Sequence, residues 1–209
     1  MIVKTPNELL APQDRTGAIE VNHDLQIECH IPWSVGKDIS SLRVSGNLDV
    51  KKYMRLGGDL NVSDGLEISA PVYIENELHV GVDLNAFDSL EVGGSLNVFG
   101  HIYIDGNLHV GENIYTYGEL HIEGTTFYCK DLYWPHAHKP TLPDKTFIHR
   151  ILPFPTQRNH WQKRLGIEFP EWSCYDEICE TVLPEIPRLL RSNKWNETER
   201  WILETLRDN

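Results

Sequence analysis

Between residues 42 and 126 the apolar positions return at every sixth residue. Stepping by six from Leu42 passes through Leu48, Met54, Leu60, Leu66, Val72 and so on to Leu120 before reaching Thr126, and fourteen of these fifteen positions are aliphatic or Met. A second column lies two residues further on, from Val44 to Ile122, and holds Val, Ile or Leu at twelve of fourteen places, the exceptions being Ala86 and Thr116. Side chains two apart share one face of an extended segment. Glycine takes the fifth place of the hexad at Gly46, Gly58, Gly94, Gly100, Gly106, Gly118 and Gly124, where it is expected to supply the backbone freedom of a tight corner. Each hexad therefore reads as a short strand and a corner. Two inward residues cannot hold a strand in place alone, so three hexads are expected to close an 18-residue coil, and stacked coils to bury one aliphatic column. The predicted fold is mainly β: a triangular β-solenoid (β-helix).

Antiparallel hairpins would need two-residue turn signals and more variable strand lengths, which fifteen positions in unbroken steps of six do not offer. The pattern extends upstream as Ile19-x-Val21, Leu25-x-Ile27 and Ile31-x-Trp33, then slips across Ser34 to Ser41. Residues 1–41 thus read as an N-terminal segment with a first coil at 19–33 and a loop at the slip, and 42–128 as the solenoid proper. About six coils at roughly 4.8 Å each make a rod of about 29 Å. Beyond residue 128 eight of the 12 prolines and five of the six tryptophans appear. Residues 129–155 read as a Pro-rich extended connector, and 156–209 as a small α-helical cap, with helix signals at 156–165, at Ser173 to Asp176, and at Asn196 to Glu199. A segment this short is expected to pack on the solenoid and shield its unpaired strand edges.

The units Gly46-Asn-Leu-Asp-Val50, Gly94-Ser-Leu-Asn-Val98 and Gly106-Asn-Leu-His-Val110 resemble the Gly-x-Leu-x-Val repeats of the bactofilins, polymer-forming cytoskeletal β-helix proteins. Val110-Gly-Glu-Asn-Ile114 is similar in part to the repeat of the hexapeptide acyltransferases. Both resemblances cover residues 42–128 only. They imply a β-helix architecture, and as functions a polymer-forming structural protein or a coenzyme A-dependent acyltransferase; fold by itself does not select between functions.

Charge changes the picture more than composition does. The chain of 209 residues has 19 Lys and Arg against 31 Asp and Glu, a net charge of -12. That balance argues against direct binding to nucleic-acid phosphates or to an anionic membrane. Residues 1–41 hold 3 basic and 6 acidic groups, 42–128 hold 4 and 13, and 129–209 hold 12 and 12, so nine of the twelve excess charges lie on the solenoid. Between Arg55 and Lys130 there is no Lys or Arg, while twelve carboxylates run from Asp59 to Glu123. Distributed over three faces, they are too sparse on any one to imitate a phosphate track. The richest face is expected to carry Glu75, Glu77, Glu91 and Glu112. Outward columns should also align Asp49, Glu67, Asn85, Tyr103 and His121, and place Phe99 beside Tyr117. Exposed aromatics among carboxylates fit a protein interface.

Catalytic and metal chemistry finds little footing. An acyltransferase needs a histidine in a cleft, but His79, His109 and His121 fall on three different faces, and His101 aligns with Asp83 and Glu119 as a polar ladder. Cys129, His136 and His138, with His149 or His160, lack a known zinc spacing. Cys174 and Cys179 would sit off a common helix face, and four cysteines at irregular intervals form no disulfide framework. No leader or membrane-spanning stretch is legible. The expectation is a cytoplasmic, non-catalytic acidic binding module with no cofactor and no metal, a monomer or small homo-oligomer. Its partner would be a protein with a basic surface, such as a nucleic-acid-binding machine that it inhibits, and its contact residues Glu75, Glu77, Glu91, Glu112, Phe99, Tyr103 and Tyr117.

Overall fold

The computed structural model describes residues 1–11, 16–134, 140–153, 186–192, 194, 195, 200, 203 and 204. The helix signals at 156–165, 173–176 and 196–199, together with Cys174, Cys179, His136, His138 and His160, lie outside the described residues, as does the side chain of His149. Within them the chain is a parallel β-solenoid of about six turns, each of about 18 residues. Every hexad from Leu48 to Leu120 forms a three- or four-residue strand, such as Leu66–Ile68, Val72–Ile74 and Leu78–Val80, followed by a corner of two or three residues.

The strands stack as three faces. The first carries Leu25–Ile27, Leu48–Val50, Leu66–Ile68, Leu84–Ala86, Ile102–Ile104 and Leu120–Ile122, with Ile2–Val3 added at its N-terminal edge. The second runs from Ala18–Val21 through Leu78–Val80 to Asn113–Thr116, and the third from Met54–Leu56 to Leu108–Val110. Register is 18 residues throughout this stretch: Leu42 pairs with Leu60, Leu60 with Leu78, Leu78 with Leu96 and Leu96 with Ile114. The inward columns are almost wholly shielded from water, with Leu60, Leu78, Leu84 and Leu96 at 0 % exposure. At about 1.5–3 kcal/mol for each fully buried large aliphatic side chain, this column is the main source of stability. Thr116 also lies inside it; its hydroxyl donates to the Gly100 carbonyl at 3.0 Å, which satisfies a polar group that would otherwise be costly to bury.

Both ends depart from the repeat. In the first coil the register is 23 residues, Leu25 pairing with Leu48 and Ile31 bridging Met54. The five extra residues include a short helix, Trp33–Gly36, and Ile39 fills the interior beside it at 0 % exposure. Trp33 had been expected to point inward after Ile31. It begins that helix instead and is 41 % exposed. A second helix, Pro6–Leu10, buries Leu9 completely among the core residues ahead of the first coil. At the other end the register lengthens to 19: Phe127, not Thr126, takes the inward place above Leu108.

The ladder then continues beyond residue 128 as two nine-residue parallel strands, Thr126–Trp134 and Lys145–Pro153. The first of them pairs with Leu108–Val110 and then with Asn113–Thr116, so it turns a corner without breaking and fuses the second and third faces into one twelve-stranded sheet. Near the C-terminus a helix at Ile186–Leu190 supplies Leu189, which with Leu203 joins the core. Among the described residues no helix is long and apolar enough to cross a membrane.

The corner glycines serve a different purpose from the one their spacing implies. Among the described residues the one glycine with positive φ is Gly17, at 84°, so the hexad glycines use no left-handed backbone. What they supply is clearance. A Cβ on Gly81 would overlap the Ser63 carbonyl of the coil beneath, whereas a Cβ on Gly65 would have the Asn47 side-chain oxygen at 3.2 Å and nothing else closer than 3.6 Å. Gly81→Ala is therefore expected to lower stability by about 1–3 kcal/mol, a typical overpacking cost. Gly65→Ala should be neutral or slightly stabilising, since it also restricts the unfolded chain. Urea unfolding of the two variants beside the parent checks the contrast, and equal losses would refute it.

Candidate functional site

Because coils repeat every 18 residues, equivalent outward positions form columns along the rod. The middle of the first face reads Asp49, Glu67, Asn85, Tyr103, His121, each paired in register with the next, as the sequence predicts. At two of the three corners the last positions of successive coils are joined by side-chain to backbone hydrogen bonds. At the corner between the second and first faces, Asp24 accepts the backbone N–H of Asn47 at 2.7 Å, and the Asn47 side chain accepts that of Gly65 at 3.0 Å. Further along, Asp83 accepts the N–H of His101 at 2.7 Å and Nδ1 of His101 accepts that of Glu119 at 3.0 Å. The predicted alignment of Asp83, His101 and Glu119 is thus a chain of side-chain to backbone bonds, and it places the proton of the neutral His101 ring on Nε2. Ser89 and Asn107 act similarly at the corner between the first and third faces.

The remaining solenoid histidines are also accounted for locally. His79 Nε2 lies 2.9 Å from Glu77 and His121 Nε2 lies 2.8 Å from Glu123, while His109 meets Tyr128 edge-on. His79, His109 and His121 occupy the second, third and first faces, so they converge on no common point. Cys129 is buried in the core. Among the described residues no group of three or more His, Cys, Asp or Glu is arranged to hold a metal ion.

The carboxylates expected on the richest face divide between two settings. Glu75, Glu77 and Glu112 lie along the corner between the third and second faces, and Glu91 lies in the middle of the third face between Tyr73 and His109. All four are exposed. Glu75 is not a lone charge, because Arg55 donates to it from Nη2 at 2.6 Å and from Nε at 3.0 Å. The same guanidinium lies 4.6 Å above the Trp33 ring. Sequence reasoning missed this clamp: Trp33 reaches Arg55 because the short helix turns it outward.

Of the three aromatics in the expected site, Phe99 and Tyr117 share one corner and Tyr103 lies on the first face next to it. Phe99 and Tyr117 stack with ring centroids 5.4 Å apart and planes 6° from parallel, and they are 65 % and 58 % exposed. Beside them His101, Tyr103 and His121 follow one another at 5.8 and 6.1 Å. Tyr103 donates its hydroxyl to Glu119 at 3.0 Å. That bond, then partial burial, then the charges of Glu119 and Asp83 raise the phenol above its ordinary range. Below Val82 the same side of the rod opens into a hollow of about 510 Å3 bordered by Asp49, Asp64, Glu67 and Asp83. Lys51 lies 2.9 Å from Asp49 and 3.2 Å from Glu67, and the hydrogen bond to Asp49 holds its ammonium above the usual lysine range. The hollow was not legible in the sequence, although the in-register Asp49 and Glu67 pointed to it. Comparison with family models, with curated proteins and with solved structures finds no match.

The raised Tyr103 phenol gives a pH test. Since the folded state holds this proton more tightly than the unfolded chain, the stabilisation is fully present below the ordinary tyrosine pKa of about 10 and is lost as pH rises through the raised value. In an alkaline titration followed by phenolate absorbance, the parent should ionise one tyrosine late. Glu119→Ala should move that step down, and an unchanged titration would contradict the assignment.

Proposed function

We propose that the rod is a non-catalytic acidic module, working in the cytoplasm, that binds a protein partner through its solenoid surface and blocks a basic site on it, such as the nucleic-acid-binding face of that partner. The observation that carries this reading is the long stretch from Arg55 to Lys130 with twelve carboxylates and no Lys or Arg, set on a rigid frame that fixes each carboxylate at a repeating position. Close-set charges of one sign raise the encounter rate with the opposite sign and discourage self-association. The exposed Phe99 and Tyr117 supply apolar area beside those charges, the kind of large amphipathic contact on which interfaces depend.

A bactofilin-like polymer joined through coil ends is less well supported. Leu9, from the helix at Pro6–Leu10, is buried ahead of the first coil, so an addition at that end would meet this segment.

The combined variant Glu75→Gln, Glu77→Gln, Glu91→Gln and Glu112→Gln tests the electrostatic reading. Binding to poly-L-lysine, followed by calorimetry at several salt concentrations, should weaken by about tenfold and lose part of its salt dependence. Because Glu75 is already engaged by Arg55, restoring it alone should recover less affinity than restoring Glu91. If the fourfold variant binds as the parent does, the carboxylates are not the contact surface.

A further inference from the structure

The aromatic stack on the corner between the second and first faces ends abruptly. Successive coils place Ser63, Gly81, Phe99 and Tyr117 at the same corner position. Tyr117 covers one face of the Phe99 ring, with the planes 6° apart. Beneath the other face lies Gly81, which has no side chain and for which even a Cβ is excluded by the Ser63 carbonyl. Val82, 48 % exposed, stands at the side. The result is a notch one coil high, about 4.8 Å, bounded above by an aromatic ring. A flat group tolerates this spacing, as Tyr115 and Tyr133 show by stacking on neighbouring coils with centroids 4.2 Å apart.

Carboxylates flank the notch. Asp83 uses Oδ1 to accept the His101 N–H, which leaves its other oxygen for a second donor, and Asp64 is exposed one coil lower. No described Lys or Arg forms an ion pair with either. The hollow below is bordered by the same two residues and by Asp49 and Glu67, which Lys51 occupies.

The third face shows what such a combination holds when the chain provides its own cation. There the Arg55 guanidinium lies 4.6 Å above the Trp33 ring and pairs with Glu75 at 2.6 Å. At Phe99 the ring and the carboxylates are present and none of the described cations is. The solenoid of a second copy is a poor occupant, because its residues 42–128 would bring 13 acidic and 4 basic groups against this surface, and the chain as a whole carries a net charge of -12.

We propose that the notch beneath Phe99 receives an arginine side chain from the basic partner, its guanidinium stacked on the ring and paired with Asp64 and Asp83. The proposal rests on the reading of the rod as an acidic module and names its anchor. Arginine is preferred to lysine because a planar guanidinium stacks on an aromatic face and donates two parallel hydrogen bonds to a carboxylate, whereas an ammonium is a compact and strongly hydrated point charge.

The test compares dye-labelled octa-arginine and octa-lysine peptides, titrated with the full chain by fluorescence anisotropy at near-physiological salt. The parent should bind octa-arginine about fivefold more tightly than octa-lysine. Phe99→Leu, at an exposed position where thermal unfolding should be unaltered, should erase that preference while leaving octa-lysine binding in place. Asp64→Asn should weaken octa-arginine more than octa-lysine. Equal binding of the two peptides by the parent, or a preference that survives Phe99→Leu, overturns the notch and leaves the general electrostatic reading standing. Failure of both peptides to bind overturns the two together.

Discussion

Parallel strands stacked along one axis are held at the separation their N–H to C=O bonds permit, about 4.8 Å, and here that spacing acts on every position of the hexad. Inside, it brings Leu above Leu and Val above Val, so a column needs only residues of similar size to pack without gaps. At the corners it brings backbone over backbone, which is why Gly81 has no room for a Cβ. The same closeness leaves corner amides outside the strand ladders, and side chains such as Asp24, Asn47, Asp83 and His101 accept hydrogen bonds from the amides one coil above. A buried or half-buried donor left without an acceptor would cost about 1–3 kcal/mol. Apolar columns, glycine corners and polar ladders are three responses to one distance.

Outside the core the spacing governs which side chains meet. Outward side chains are forced into register, so like meets like or complement meets complement according to the sequence alone. Phe99 and Tyr117 become a stacked pair, Asp49 and Glu67 become a pair that needs Lys51 between them, and Arg55 is drawn to Glu75 across one coil. Local neutralisation therefore differs greatly among carboxylates that the net charge counts equally. For the binding proposed above, a repeating frame would also lower the ordering cost, since the side chains are already held in register.

Much of this was legible in the sequence because the repeat is local and strict. The step of six gave the strands, and the sum of three steps gave the 18-residue register, from which the alignments Asp83–His101–Glu119 and Phe99–Tyr117 follow directly. What escaped was what depends on breaks in the repeat. Trp33 was expected inside, but five inserted residues turn it outward, and only then can it meet Arg55. Phe127 displaces Thr126 from the inward position through a single added residue. The glycines were visible and their purpose was not: close approach between coils is a tertiary contact that a single coil cannot reveal. The hollow beside Val82 likewise arises from side chains of three successive coils.

The constancy of the register between Leu42 and Leu120, bounded by the 23-residue step at one end and the 19-residue step at the other, makes the rod modular in units of one turn. Deleting or duplicating any eighteen residues inside those bounds would leave every remaining backbone ladder with an equivalent partner and both atypical ends intact. Length is thus a trait that recombination within the gene can adjust in steps of about 4.8 Å, independently of the fold. An ancestor with fewer turns, or a descendant with more, would present the same terminal surfaces at a different separation.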